Sequence, residues 1–117
     1  PILSMAAIKA SLDLFDEVGM DALREKSLKL TGYFEFLINE IDSEEITIIT
    51  PSNPKERGCQ ISIQVKNSDK NLHKKLTSQN VITDWREPDV IRIAGAPLYN
   101  SYEDCWKFVE LLRLELF

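Results

Sequence analysis

The chain has 117 residues, of which 44% are hydrophobic and 28% charged, and a formal net charge of −5. This is the composition of one soluble globular domain, large enough to bury roughly 65% of its unfolded surface around a single core. The acidic balance argues against a nucleic-acid partner, no apolar run approaches the ~20 residues of a membrane span, and no signal peptide is legible at the start. The chain opens on Pro1 and not on Met, which fits a fragment or a processed product.

Ser4 to Glu17 reads as a first helix, with Ser4 as its cap and Gly19 placed to end it. Ile8, Leu12, Phe15 and Val18 recur at helical spacing, opposite Lys9, Asp13 and Asp16. An apolar stripe of this kind needs a partner to cover it. A second, longer helix restarts at Met20 and Asp21, with Asp21 as N-cap. Leu23, Leu30, Phe34, Leu37 and Ile41 form its core stripe, and Tyr33 is expected to be a half-buried aromatic. Ile46 to Thr50 reads as a strand and Pro51 to Gly58 as a loop. In the strand Cys59 to Val65, Cys59, Ile61, Ile63 and Val65 share one face, and Gln60, Ser62 and Gln64 the other.

After a turn at Asn67 to Lys70, Asn71 to Gln79 reads as a short helix anchored by Leu72 and Leu76. His73, the only histidine, is expected on its solvated side. Val81 to Trp85 and Val90 to Ala94 then form a hairpin around Glu87-Pro88-Asp89. Val90, Arg92 and Ala94 share one face of the last strand, so a guanidinium projects from an otherwise apolar segment. Ser101, with Asp104 three residues on, caps a final helix to Phe117, with Cys105, Phe108, Val109, Leu112 and Leu116 facing inward. The order ααββαββα predicts an α+β two-layer sandwich, a small antiparallel sheet with helices on one face. Cys59 and Cys105 lack metal or redox spacing and read as buried thiols of a cytosolic protein.

Several stretches resemble one family. Ile91-Arg92-Ile93-Ala94 followed by Pro97-Leu98-Tyr99-Asn100-Ser101-Tyr102-Glu103-Asp104 is similar to the end of kynureninase, a pyridoxal-phosphate (PLP) enzyme of the aspartate-aminotransferase fold type. Pro1 to Ala7, Ala10-Ser11-Leu12, Leu23 to Ser27, Leu30-Thr31-Gly32-Tyr33 and Arg57-Gly58-Cys59-Gln60 resemble earlier parts of its C-terminal region. The resemblance covers nearly the whole chain but only the last part of the enzyme. It implies the small domain of a fold-type I PLP enzyme, with residues 1–19 as an interdomain helix and 20–117 as the domain proper. It further implies a missing large domain, a homodimer, a cytoplasmic location and an amino-acid substrate.

The resemblance implies a reaction that cleaves kynurenine, or its 3-hydroxy form, to anthranilate and alanine. PLP chemistry needs a lysine to hold the cofactor and an acidic partner for its ring nitrogen. Every lysine of this chain falls on a polar face or in a loop, and no phosphate loop, metal cluster or nucleophile–base pair is present. The fragment alone is therefore expected to be inactive, to hold no PLP, and to contain no catalytic residue. Arg92 is the exception. A strand arginine is ordinarily a surface or paired residue, but a planar guanidinium can grip an α-carboxylate with two parallel hydrogen bonds. In the family, the arginine of this motif binds the substrate carboxylate, and it maps onto Arg92. The family commonly has proline where this chain has Gly95, which predicts a looser loop; Tyr99 and Asn100 match the motif without a derivable role. The competing readings are a cysteine desulfurase-like lyase of the same fold type, and a free-standing α+β module that binds an amino acid or a protein.

Overall fold

The alternation of apolar and polar residues in Gln60–Val65 and Val90–Ala94 sets the architecture. In the computed structural model, which describes all 117 residues, these segments are strands β2 and β4 of a four-stranded antiparallel sheet. With β1 at Ile46–Ile48 and β3 at Asp84–Arg86, the strand order is β1-β2-β4-β3. Ile61, Ile63 and Val65 of β2 and Ile91 and Ile93 of β4 point to one side and are buried. Gln60, Ser62, Gln64, Val90, Arg92 and Ala94 point to the other and stay in contact with solvent. The register sets Ile61 opposite Ile93 and Ile63 opposite Ile91, so the apolar side chains meet across the strands.

Three helices cover the apolar side: α2 (Met20–Asn39), α3 (Lys70–Ser78) and α4 (Tyr102–Leu116). The result is the two-layer α+β arrangement that the element order predicts. Leu30, Phe34 and Ile38 of α2 recur at helical spacing and enter the core together with Cys105, Phe108, Val109 and Leu112 of α4. The rings of Phe34 and Phe108 meet edge-on with centroids 5.8 Å apart. Leu72 and Leu76 of α3 close the remaining side. Burying one such Leu or Ile contributes ~1.5–3 kcal/mol, so these residues are the main source of stability.

The first helix, α1 (Ile2–Val18), is different in kind. It buries none of its residues, and Ile8 and Leu12 are 53% and 55% exposed. It is joined to α2 through Gly19 alone, whose φ of +83° suits a residue without Cβ and whose N–H closes α1 on the Phe15 carbonyl at 2.8 Å. The projecting helix gives a radius of gyration of 15.8 Å, against about 13 Å for a compact chain of this length.

The structure corrects several local expectations. Helix α1 starts at Ile2, so Ser4 lies inside it and does not cap it. Asp21 falls in the first turn of α2, because Gly19 already serves both helices. Ile38 takes the core position on α2, while Leu37 and Ile41 sit half-buried at its margin. Strand β1 stops at Ile48, because the Ser62 N–H bonds to the Thr50 hydroxyl at 2.8 Å in place of a main-chain carbonyl. Strand β3 begins only at Asp84. Val81 is spent closing α3, its N–H donating to the Leu76 carbonyl at 3.0 Å, and Ile82 is exposed. His73 is half-buried, with Nδ1 2.9 Å from the Thr83 hydroxyl, and so ties α3 to that connection.

Candidate functional site

Arg92 stands at the centre of the open face of the sheet. Strand β4 is an inner strand, so its neighbours across the ladder are Ser62 of β2 and Asp84 of β3. The side chain is 32% exposed, and both its Nε and Nη2 donate to Oδ2 of Asp84, the Nε bond being 2.6 Å long. Arg86 donates from Nε to the same oxygen at 3.1 Å. These donors hold the Asp84 carboxyl below the usual carboxylate range, the Arg92 hydrogen bonds being the largest cause and the Arg86 charge adding to them. Nη1 of Arg92 makes no hydrogen bond within the chain. The cavity of ~480 Å³ beside Phe15, Leu23 and Pro97 and that of ~300 Å³ beside Phe34, Ile93 and Phe108 are lined by other residues; the Arg92 guanidinium lies on an open surface, in a half-exposed ion pair that the sequence reading did not name.

The loop that follows β4 is fixed at three points. Gly95 is buried, and a Cβ placed there would come within 2.9 Å of Leu30 Cδ2. The glycine therefore permits a close approach of α2, and the expectation of a loose loop is corrected. The Ala96 N–H donates to Oδ1 of Asn100 at 2.8 Å, and the Asn100 N–H returns a bond to the Ala96 carbonyl, also at 2.8 Å. Lys26 reaches from α2 to the Pro97 carbonyl at 2.7 Å. Asn100 thus acquires a role: it clasps the loop just before the capping box of Ser101 and Asp104, in which Asp104 accepts from the Ser101 N–H at 2.8 Å. Tyr99 is exposed, 79% of it open to solvent.

Sequence reasoning missed Arg57. Its side chain is only 5% exposed and pairs with Glu35 of α2 at 2.7 Å. The guanidinium also donates to the Pro51 carbonyl at 3.2 Å, and Arg24 donates to the carbonyls of Pro54 and Arg57. The loop entering β2 is thereby bound to α2. The Arg57 bond, followed by one from Ser52, holds the Glu35 carboxyl below its ordinary value. The signal was present only as a loop with two prolines and the charges Lys55, Glu56 and Arg57, which does not say which helix residue pairs with which charge.

The remaining candidates fall into ordinary places. Tyr33 is half-buried and meets Tyr102 edge-on with centroids 5.5 Å apart. Cys105 is buried, and desolvation pushes its thiol up to about 11; Cys59 is half-buried and unbonded. No group of His, Cys, Asp and Glu has metal-site geometry. No lysine is buried: Lys26 is half-buried on the Pro97 carbonyl, and the other lysines are exposed. A lysine that holds PLP needs a desolvated setting beside a phosphate cradle, so the residues of this chain do not fit a PLP site.

Residues 23–112 match the family model described as the kynureninase C-terminal domain. The chain belongs to that family. It is 47% identical over 109 residues to a kynureninase of Koribacter versatilis, covering 93% of this chain and 26% of the relative. It is 50% identical over 116 residues to a kynureninase of Christiangramia forsetii, covering 97% and 27%. A kynureninase of Myxococcus xanthus is 47% identical over 113 residues, covering 97% and 26%. The chain spans about a quarter of the length of these curated kynureninases. The match favours the kynureninase family over a cysteine desulfurase-like lyase or a free-standing module. No helix is long and apolar enough to cross a membrane.

Proposed function

We propose that the protein carrying this domain hydrolyses L-kynurenine, or its 3-hydroxy form, and that Arg92 holds the substrate α-carboxylate. The bond between Cβ and Cγ breaks; water supplies the hydroxyl that makes Cγ the carboxyl carbon of anthranilate, or 3-hydroxyanthranilate, and Cβ takes a proton to give L-alanine. PLP, when bound, supplies the electron sink for this cleavage. Its lysine and phosphate contacts belong to the part of such a protein that this chain does not include, in keeping with the exposed lysines described above. The same reading gives a cytoplasmic homodimer in which a large cofactor-binding domain docks on this one, with residues 1–19 joining the two. The chain alone is then inactive and holds no PLP.

One observation carries the assignment to Arg92. It is a half-exposed guanidinium on an inner strand, in the family's strand-then-loop motif, with Nη1 unclaimed by the rest of the chain. A rigid strand fixes the fork, and a charge-assisted bidentate contact contributes roughly 1.5–3 kcal/mol. Lysine keeps the charge and loses the fork. The full-length protein should therefore release anthranilate and alanine in equal amounts from kynurenine. Arg92→Lys should lower its kcat/KM by about tenfold to a few hundredfold. Absence of turnover by the wild type, or unchanged kinetics in the variant, would refute the respective halves of the proposal.

A further inference from the structure

We propose that Asp84 and Arg86 are positioning residues for Arg92: Asp84 holds the guanidinium by its Nε/Nη2 side and leaves the Nη1/Nη2 end for the substrate carboxylate, and Arg86 keeps the site cationic. The inference rests on the reading of Arg92 as the carboxylate anchor and adds to it the direction of approach and the groups that set it.

A guanidinium has two edges that can each take a carboxylate in bidentate fashion, the Nε/Nη2 side and the Nη1/Nη2 end. Asp84 occupies the first, through bonds from both Nε and Nη2 to Oδ2. The second edge still offers one proton of Nη1 and one of Nη2, and Nη1 has no partner within the chain. The plane of the fork is thus set before any ligand arrives, so little rotamer freedom remains to be lost on binding. The backbone makes this arrangement reproducible. The β3–β4 hairpin pairs Asp84 directly with Arg92 and Arg86 with Val90, so all three charged side chains project from the same face of adjacent strands.

An aspartate next to a carboxylate-binding arginine would by itself cancel the charge that attracts the ligand. Arg86 removes that difficulty. Its Nε bonds to the same Asp84 oxygen at 3.1 Å, and two guanidiniums against one carboxylate leave a net charge of +1. Asp84 remains ionised at neutral pH, since both arginines favour its charged form. The three residues act as an oriented monocation and not as a neutral pair.

The test compares ligands with and without the carboxylate in the full-length holoenzyme. The readouts are KM and kcat for L-kynurenine, the inhibition constant of kynuramine (the same molecule without its carboxylate), and the melting temperature. Asp84→Asn should raise KM for kynurenine by about tenfold, leave kcat within about threefold, and leave the kynuramine constant within about twofold. Asp84→Glu should recover part of the loss. Arg86→Gln should raise KM about threefold at low ionic strength and less at high salt. Arg92→Gln, measured beside them, separates the two levels of the argument. If it fails to discriminate the two ligands, the anchor reading itself is wrong. If Arg92→Gln discriminates them while Asp84→Asn leaves KM unchanged, or weakens both ligands in step with a fall in melting temperature, then Asp84 only fastens β3 to β4 and the positioning role is overturned.

Discussion

The two faces of β4 differ more than any two segments of the chain, although their residues alternate along five positions. Ile91 and Ile93 face the helices and are buried, with neighbours from β2, α2 and α4 around them. Val90, Arg92 and Ala94 face outward from the same backbone, and the guanidinium among them is partly in solvent. One face supplies apolar burial, where removing atoms leaves a cavity; the other supplies charge at a fixed position, where removing atoms leaves the core intact. Because a strand turns alternate side chains to opposite sides, a rigid core strand can hold a binding group without placing a charge in the core.

Substitutions that cross from one face to the other should therefore have separable effects. The largest is expected on the covered face. Ile63→Ala removes a fully buried side chain from the centre of the sheet and should cost ~2–5 kcal/mol in urea unfolding of the protein carrying this domain. A loss below ~1 kcal/mol would mean that this face is not the core.

The next effect tests the junction between the entry loop and α2. Glu35→Gln leaves Arg57, which is 5% exposed, without its counter-charge and should cost about 3 kcal/mol near neutral pH. The Glu35 carboxyl lies below its ordinary value of 4.5 in the folded protein. The pair therefore contributes fully above that ordinary value, and the contribution is lost as pH falls through the lowered one. The gap in stability between wild type and variant should be constant from neutral pH to about pH 5 and should shrink progressively once the pH falls below the ordinary value of 4.5. A gap that does not depend on pH would assign the effect to packing and not to charge.

Gly95→Ala sharpens the comparison at the end of β4, where the strand passes from core to loop. The added methyl would press on Leu30 at 2.9 Å, and a well-packed core resists such an insertion by ~1–3 kcal/mol. If the variant is as stable as the wild type, the loop has room and its attachment to α2 is weaker than described.

Much of this was legible beforehand, and the reasons are physical. The period-two pattern of Ile61 to Val65 and of Val90 to Ala94 names the buried face without any tertiary information, and the Ser101–Asp104 spacing specifies a local capping box that forms as expected. Strand ends were less legible, since side chains such as Thr50 can replace a main-chain partner and Val81 can be claimed by the preceding helix. The partner of Arg92 could have been found. A connection of Glu87-Pro88-Asp89 sets Arg86 opposite Val90, and counting back along an antiparallel pair then sets Asp84 opposite Arg92. The Arg57–Glu35 pair could not, because it joins a loop to a helix and no periodicity links them. Nor could the fit of Gly95 under Leu30, which depends on how closely α2 lies on the sheet.

The most direct test of the division between the two faces is a measurement on adjacent residues of one strand, Ile91→Ala and Arg92→Lys, in the same full-length protein. Each variant is followed by thermal unfolding and by kcat/KM for kynurenine. Ile91→Ala should destabilise by ~2–5 kcal/mol and lower the melting temperature. Arg92→Lys should leave the melting temperature almost unchanged and lower kcat/KM by at least about tenfold. An Arg92→Lys variant whose loss of activity merely follows its loss of stability, as for Ile91→Ala, would contradict the account.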